Sequence, residues 1–249
     1  MKACGNTDVG RARINNEDDY CLTSNSHGDW IGIVCDGIGG SMAGEVASQI
    51  ATKTMYESFL SAPVFEKDYE VSEWVEHVIQ SANKKIYARS HLSKKMKGMG
   101  TTIVGIIITK NGSYTFNVGD SRMYAEYCDG FVQMSIDHSY VAQLVSQGTI
   151  TEEEAKTHPK RNILTNALGV WATVQAITFN KIDSDFRYVL LCSDGLHGYV
   201  DENKIEEIVC DPYLPLLEKV NQLIQSANDA GGYDNCTVVL FDNTEVDHD

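Results

Sequence analysis

The stretch Trp30–Ser48, WIGIVCDGIGGSMAGEVAS, constrains the fold more than any other part of the chain. The apolar, β-branched run Ile31–Cys35 has the length of a buried strand. It stops at Asp36-Gly37, and Gly39-Gly40 follow. An amphipathic helix is expected to start between Ser41 and Gly44, because Val46, Ala47, Ile50, Ala51, Met55 and Phe59 fall on one face. Asp-Gly is ordinarily a hairpin turn, but here helical sequence follows in place of a second strand. A carboxylate therefore stands at the end of a buried strand, beside glycines that let other groups approach the backbone. That position suits a hard metal ion, with the neighbouring peptide carbonyl available as a further ligand.

The same arrangement returns near the other end of the chain. Tyr188–Cys192 is apolar and runs into Ser193-Asp194-Gly195, and Gly231-Gly232-Tyr233-Asp234-Asn235 feeds a strand over Cys236–Phe241. Between these motifs the pattern predicts a helix over Glu70–Ser90, with Val71, Trp74, Val75, Val78, Ile79, Ala82 and Ile86 on one face. Strands are expected over Asp19–Ser24, Thr101–Thr109, Ser113–Val118, Met123–Tyr127 and Phe131–Ser135, with turns at Asn111-Gly112 and Asp129-Gly130. Asp120 sits between two of these strands and reads equally as a turn residue or a metal ligand, with Arg122 as a local counter-charge.

Residues 137–172 read as a flap over the sheet, suited to substrate contacts. It holds a short helix over Tyr140–Gln147 and a capping box opening at Thr151. His138 and His158 are read as structural or as acid/base groups. Strand sequence resumes over 173–192, helices are expected over Glu202–Val209 and Pro215–Asn228, and the tail after Asp242 is polar and expected to fray. In the N-terminal loop GRARINNEDD, Arg13 precedes Glu17 and Asp18 by four and five residues. The loop is either a solvated charged stretch or an anion-binding arginine beside two cation-binding carboxylates.

Composition narrows the function. The 249 residues suit one domain. There is no apolar run of about eighteen residues to span a membrane and no apolar leader in MKACGNTDVGRAR. The seven cysteines form no CxxC pair and read as buried hydrophobes in a reducing cytosol. A net charge of −15 argues against nucleic acid or anionic membrane as a partner. It fits a carboxylate-rich site whose charge is offset by cations.

Asp36, Asp194 and Asp234 all lie at strand ends next to or within two residues of glycine, and Glu17-Asp18 are available from the loop. Gathered at one edge of a sandwich, they would repel and raise one another's pKa unless cations bound between them. Oxygen-only ligation favours Mg²⁺ or Mn²⁺ over Zn²⁺. Two such ions about 4 Å apart can hold and activate a water for in-line attack on phosphorus, while Arg13 clamps the phosphate oxygens.

In order along nearly the whole chain, RINNED, VCDGIGGSMAGEVAS, GMGTTIVG, VGDSRMY, DHSYVAQLV, HPKRNILTNALG, LLCSDGL and GGYDNCTVVL resemble the metal-dependent protein phosphatases (PPM, the type-2C Ser/Thr phosphatases) in their compact bacterial form. The resemblance implies an α+β fold: a four-layer αββα sandwich of two mostly antiparallel sheets flanked by helix pairs. By position, Asp36 resembles the carboxylate bridging two core Mn²⁺ or Mg²⁺ ions, with the Gly37 carbonyl a ligand of one. Asp194 and Asp234 resemble the other ligands of the first ion and Glu17 a ligand of the second. Asp18 resembles a neighbour that holds metal-bound water, and Arg13 the phosphate-binding arginine. Asp120, with Asp194, resembles the site of a weaker third metal.

Three positions depart from the family pattern: Ile38 stands where a proposed general-acid His is frequent, Gly198 where a further Asp is common, and Asn166 where bacterial flaps often carry Arg. The expected function is a protein Ser/Thr phosphatase acting in the cytoplasm as a monomer on phosphoproteins, a Ser/Thr kinase among them. A pseudophosphatase that only binds a partner is the alternative; the intact set Glu17, Asp36, Asp194 and Asp234 weighs against it. A regulatory phosphatase for one phosphoprotein is a third option, although those usually carry added sensor domains.

Overall fold

The structure is a computed structural model that describes residues 1–39 and 43–244. Gly40, the expected helix start at Ser41 and Met42, and the end of the polar tail lie outside the described residues. Two five-stranded sheets, antiparallel throughout, face one another. The first runs β1 (Lys2–Asp8), β12 (Cys236–Asp242), β11 (Tyr188–Cys192), β8 (Arg122–Tyr127), β9 (Gly130–Gln133). The second runs β10 (Thr178–Ile182), β7 (Gly112–Val118), β6 (Ile103–Thr109), β3 (Trp30–Cys35), β2 (Asp19–Ser24).

The continuously apolar strands are explained by their two faces. Side chains alternate across a strand, and here both faces are covered. Val34, Val104, Ile106, Met123, Val189, Leu191, Val239 and Phe241 form the core between the sheets. Their neighbours Ile31, Ile33, Ile103 and Ile107 turn outward against α1 (Ala43–Leu60) and α2 (Asp68–Ser90). On the far side, Tyr124, Leu190, Val238 and Leu240 pack against α6 (Glu202–Cys210) and α7 (Leu216–Asp229). The result is the four-layer αββα sandwich that the resemblance implied. Two short helices, α3 (Tyr140–Ser146) and α4 (Glu152–Thr157), lie in the flap, and α5 (Asp194–His197) is a single turn.

Three elements differ from the sequence reading. Lys2–Asp8 is an edge strand paired residue for residue with β12, from Lys2↔Asp242 to Asp8↔Cys236; its polar, glycine-containing sequence hid it. The strand expected over Thr101–Thr109 is broken at Thr102. There Gly100–Thr101 (β5) leaves to pair with Gly37–Ile38 (β4). Residues 173–177 form no strand; α2 side chains take the backbone groups of Val174 and of the residues just before the segment. Gln80 bonds Val174 at both its N–H and its carbonyl, and Asn83 bonds the carbonyls of Trp171 and Ala172.

Candidate active site

The strand register brings the acidic strand ends together. β11 and β12 are antiparallel with Cys192 opposite Val238, so Asp194, just past one strand, lies beside Asp234, just before the other. Cys192 also pairs with Arg122, which places Asp120 at the same end. In the facing sheet Val34 pairs with Val104 and Ile103 with Val118, which brings Asp36 to the end of β7, where Asp120 follows. Arg13, Glu17, Asp36, Gly37, Asp120, Asp194 and Asp234 all line one cleft of about 190 Å³.

The backbone here is held from several sides. Asp36 N–H donates to Thr102 Oγ1 (2.9 Å), while its carbonyl accepts from Thr102 N–H (2.8 Å) and Thr101 Oγ1 (2.9 Å). Gly37 N–H donates to the Glu17 carbonyl at 3.1 Å, and a Cβ at residue 37 would stand 2.4 Å from the carbonyl oxygens of both Glu17 and Gly44. Only glycine fits that approach. The Ser48 hydroxyl also donates to Glu17 O (2.6 Å). Glu17 N–H donates to Asn235 Oδ1 (2.8 Å), and the Asn235 amide donates to Val9 O and Asn15 O. Asn235 thus fastens the N-terminal loop to β12. It was not singled out from sequence, and an Asn beside an acidic strand end was the only signal for it.

Burial and mutual repulsion dominate the electrostatics. Desolvation pushes Asp36 well above the ordinary carboxylate range, with Asp194, Asp18, Asp120 and Asp234 adding to it. Burial first, then Asp234, raises Asp194 to about 6. Burial and Asp194 raise Asp120 to about 8. Glu17 is raised chiefly by burial, and its Oε1 is buried without a hydrogen-bond partner.

Asp18 is the one expected residue that does not line the cleft. It is buried behind it, where Oδ2 accepts from the hydroxyls of Ser193 (2.6 Å) and Thr237 (2.8 Å). Burial raises it to about 7 against the pull of those two donors. Arg13 reaches the cleft but faces Asp234, with Nη2 2.7 Å from Oδ2. Arg122 acts on Asp120 as a counter-charge without a direct bond, opposing the rise in its pKa, while its guanidinium grips Asp137 at 2.7 to 3.1 Å.

His138 is structural. Its Nδ1 accepts from Gly119 N–H and its Nε2 meets the Thr178 hydroxyl, which ties the flap to the strand ahead of Asp120. His158 Nδ1 accepts from Lys160 N–H at the surface. Asn166 is buried and donates to Ala176 O (2.7 Å), so it braces the flap from within and does not face substrate. Ile38, Asn162 and Leu164 line the cleft, the last two from the flap. Gly198 closes the α5 turn by donating to Asp194 O.

The donors fit hard divalent cations. They are all oxygens, several are deprived of water, and the orphaned Glu17 oxygen points to a missing partner. Among the described residues no three His, Cys, Asp or Glu side chains are already drawn together as a ligand group. The carboxylates ring the cleft, with Arg13 engaged at Asp234.

Residues 10–231 match the protein phosphatase 2C family. The serine/threonine phosphatase stp of Listeria monocytogenes is 38% identical over 242 residues, covering 97% of this chain and 96% of that protein. Protein phosphatase PhpP of Streptococcus pneumoniae is 35% identical over 97% of each chain. The crystal structure of serine/threonine phosphatase Stp1 from Staphylococcus aureus superposes with a TM-score of 0.89 at 34% identity, covering 96% of this chain and 94% of that one. The catalytic domain of serine/threonine protein phosphatase PstP, in complex with two manganese ions, gives 0.83 at 29% identity over 97% of each.

Proposed function

Because this chain belongs to the protein phosphatase 2C family, we propose that the cleft at Asp36 hydrolyses phosphoserine and phosphothreonine in proteins with the help of divalent cations. The observation that carries this reading is the convergence of seven expected residues on one cleft, where Glu17, Asp36, Asp120 and Asp194 are held above the ordinary carboxylate range by burial and by their charged neighbours. Asp36, Asp194 and Asp234 would hold one cation and Asp36 and Glu17 a second, with the Gly37 carbonyl, which lies near the Glu17 carboxyl, a ligand of one of them. Asp120 with Asp194 would hold a weaker third. Mn²⁺ and Mg²⁺ both suit these oxygens. When bound, such cations supply Lewis-acid charge that activates water and offsets the charge of the phosphate.

The chain's own residues do the rest. Arg13 is half-exposed, with Nη2 on Asp234 and Nε on the Tyr233 carbonyl, and its fork would exchange these contacts for phosphate oxygens. Asp18 acts from behind: through Ser193 it fixes the start of the turn that presents Asp194. Ile38 brings no proton to a leaving group, and His138 is committed to the flap.

The intact acidic set gives the pseudophosphatase alternative no support. Residues 1–249 are proposed as one catalytic domain with a flap over 137–172; pairing of the first strand with the last supports this. Opposition to a Ser/Thr kinase, a monomeric state and a cytoplasmic location complete the proposal. No helix among the described residues is long and apolar enough to cross a membrane. The test is hydrolysis of a phosphothreonine peptide with and without Mn²⁺. Phosphate release that requires the cation is expected, and undiminished release after exhaustive chelation refutes the reading.

A further inference from the structure

Two tyrosines stand at the rim of the cleft, each tied to one of its carboxylates. Tyr233 directly precedes Asp234. Tyr199 closes the turn that begins at Asp194, its N–H donating to Leu196 O at 3.2 Å. Their rings meet at 5.6 Å between centroids and 39° between planes. Tyr233 is 59% exposed, among the more exposed large side chains of the molecule, yet its ring is not free. It lies folded across Gly231, where a Cβ would stand 2.2 Å from ring carbon Cε2, at a φ of +128° that favours glycine. Arg13 Nε reaches the Tyr233 carbonyl at 3.4 Å from the other side. An aromatic ring held in place but left open to solvent has paid its ordering entropy without burying its area, a state suited to binding.

We propose that the Tyr199–Tyr233 pair is a substrate subsite that takes an apolar or aromatic side chain flanking the phosphorylated residue. The inference rests on the phosphatase reading above and adds a substrate class to it. The occupant follows from the surroundings. The rim offers two ring surfaces, while the Arg13 and Arg161 guanidiniums stand close by and disfavour a cationic neighbour. The carboxylates beneath disfavour an acidic one wherever cations do not cover them. A ring or branched alkyl group buries area against Tyr233 without opposing either charge.

The test uses the full chain loaded with Mn²⁺ and phosphothreonine peptides on an alanine background, with Phe, Leu, Lys or Asp placed singly at each flanking position. At one position Phe and Leu should raise kcat/KM over Ala by about 2- to 10-fold, the range of a single aromatic contact. That preference should vanish in Tyr233→Ala, persist in Tyr233→Phe, which keeps the ring, and shrink in Tyr199→Leu, which frees it. Equal rates for every flanking residue in the wild type overturn the proposal. So does a preference for Lys, or an apolar preference that survives Tyr233→Ala. Turnover of p-nitrophenyl phosphate with no hydrolysis of any phosphopeptide would remove the protein-phosphatase reading itself, and the subsite with it.

Discussion

Lowering the pH should stabilise the metal-free fold, and divalent cations should stabilise it most where the pH is high. Asp194, Asp18 and Asp120 titrate in the folded chain at about 6, 7 and 8, against an ordinary value of 3.8. Below about pH 4 both folded and unfolded chains hold these protons, so stability does not respond. As pH rises, the unfolded chain ionises first and the folded chain binds more protons, so stability falls until about pH 8 and then levels off. At about 1.4 kcal/mol per pH unit, the shift at Asp194 alone opposes folding by roughly 3 kcal/mol. The carboxylates share one field, so their costs do not simply add. For a chain of this length that is a loss of about 6–12 °C in Tm. Cations bind the ionised form and release its protons, so the Tm gained from Mn²⁺ should widen across the same window. Calorimetry in EDTA and in Mn²⁺, from about pH 5 to about pH 9, measures both curves. A metal-free Tm that is flat or rising over that range, or a Mn²⁺ gain independent of pH, refutes the reasoning.

Asp36→Asn or Asp194→Asn should abolish turnover while circular dichroism stays native-like, and the metal-free Tm above neutral pH should rise because a repelled charge is gone. Arg13→Ala should raise KM by roughly tenfold or more, leaving calorimetric Mn²⁺ affinity unlowered; Arg13→Lys should recover only part, since an ammonium lacks the fork. Asp120→Ala should leave the tighter metal-binding steps in place, lower turnover, and abolish the rise in activity expected of the wild type as Mn²⁺ increases past them. Away from the cleft, buried Lys219 reaches from α7 to the Val209 carbonyl near the end of α6. Lys219→Ala should cost about 2–4 kcal/mol in denaturant unfolding with kcat unchanged; a loss of kcat instead would show that this distant contact reaches the site.

The central strands were legible because each carries apolar residues on both faces, and a helix layer outside each sheet gives both faces a core. β1 was not legible, since this edge strand is only partly buried on either face and KACGNTD has no apolar run to show. The gathering of Asp36, Asp120, Asp194 and Asp234 could be expected from their strand-end positions. The register that achieves it could not, because it depends on which strand pairs with which, and that is decided between segments far apart in the chain.

The run Glu17-Asp18-Asp19 shows where reading residue types reaches its end. In sequence it is three like charges in a row, and nothing local distinguishes them. In the fold each goes to a separate environment. Glu17 turns into the cleft, with one oxygen left unpaired. Asp18 turns inward to the hydroxyls of Ser193 and Thr237. Asp19, the first residue of β2, accepts from the Thr52 hydroxyl on α1. Adjacent residues of an extended chain point to opposite sides, so extension alone parts Asp18 from Glu17 and Asp19. What then fixes their chemistry is the supply of donors on each side. Two hydroxyls satisfy Asp18, one satisfies Asp19, and none reaches Glu17 Oε1. A buried carboxylate oxygen without a donor costs free energy until a cation meets it, so the member of the run that the fold leaves unsatisfied is the one we propose for the metal.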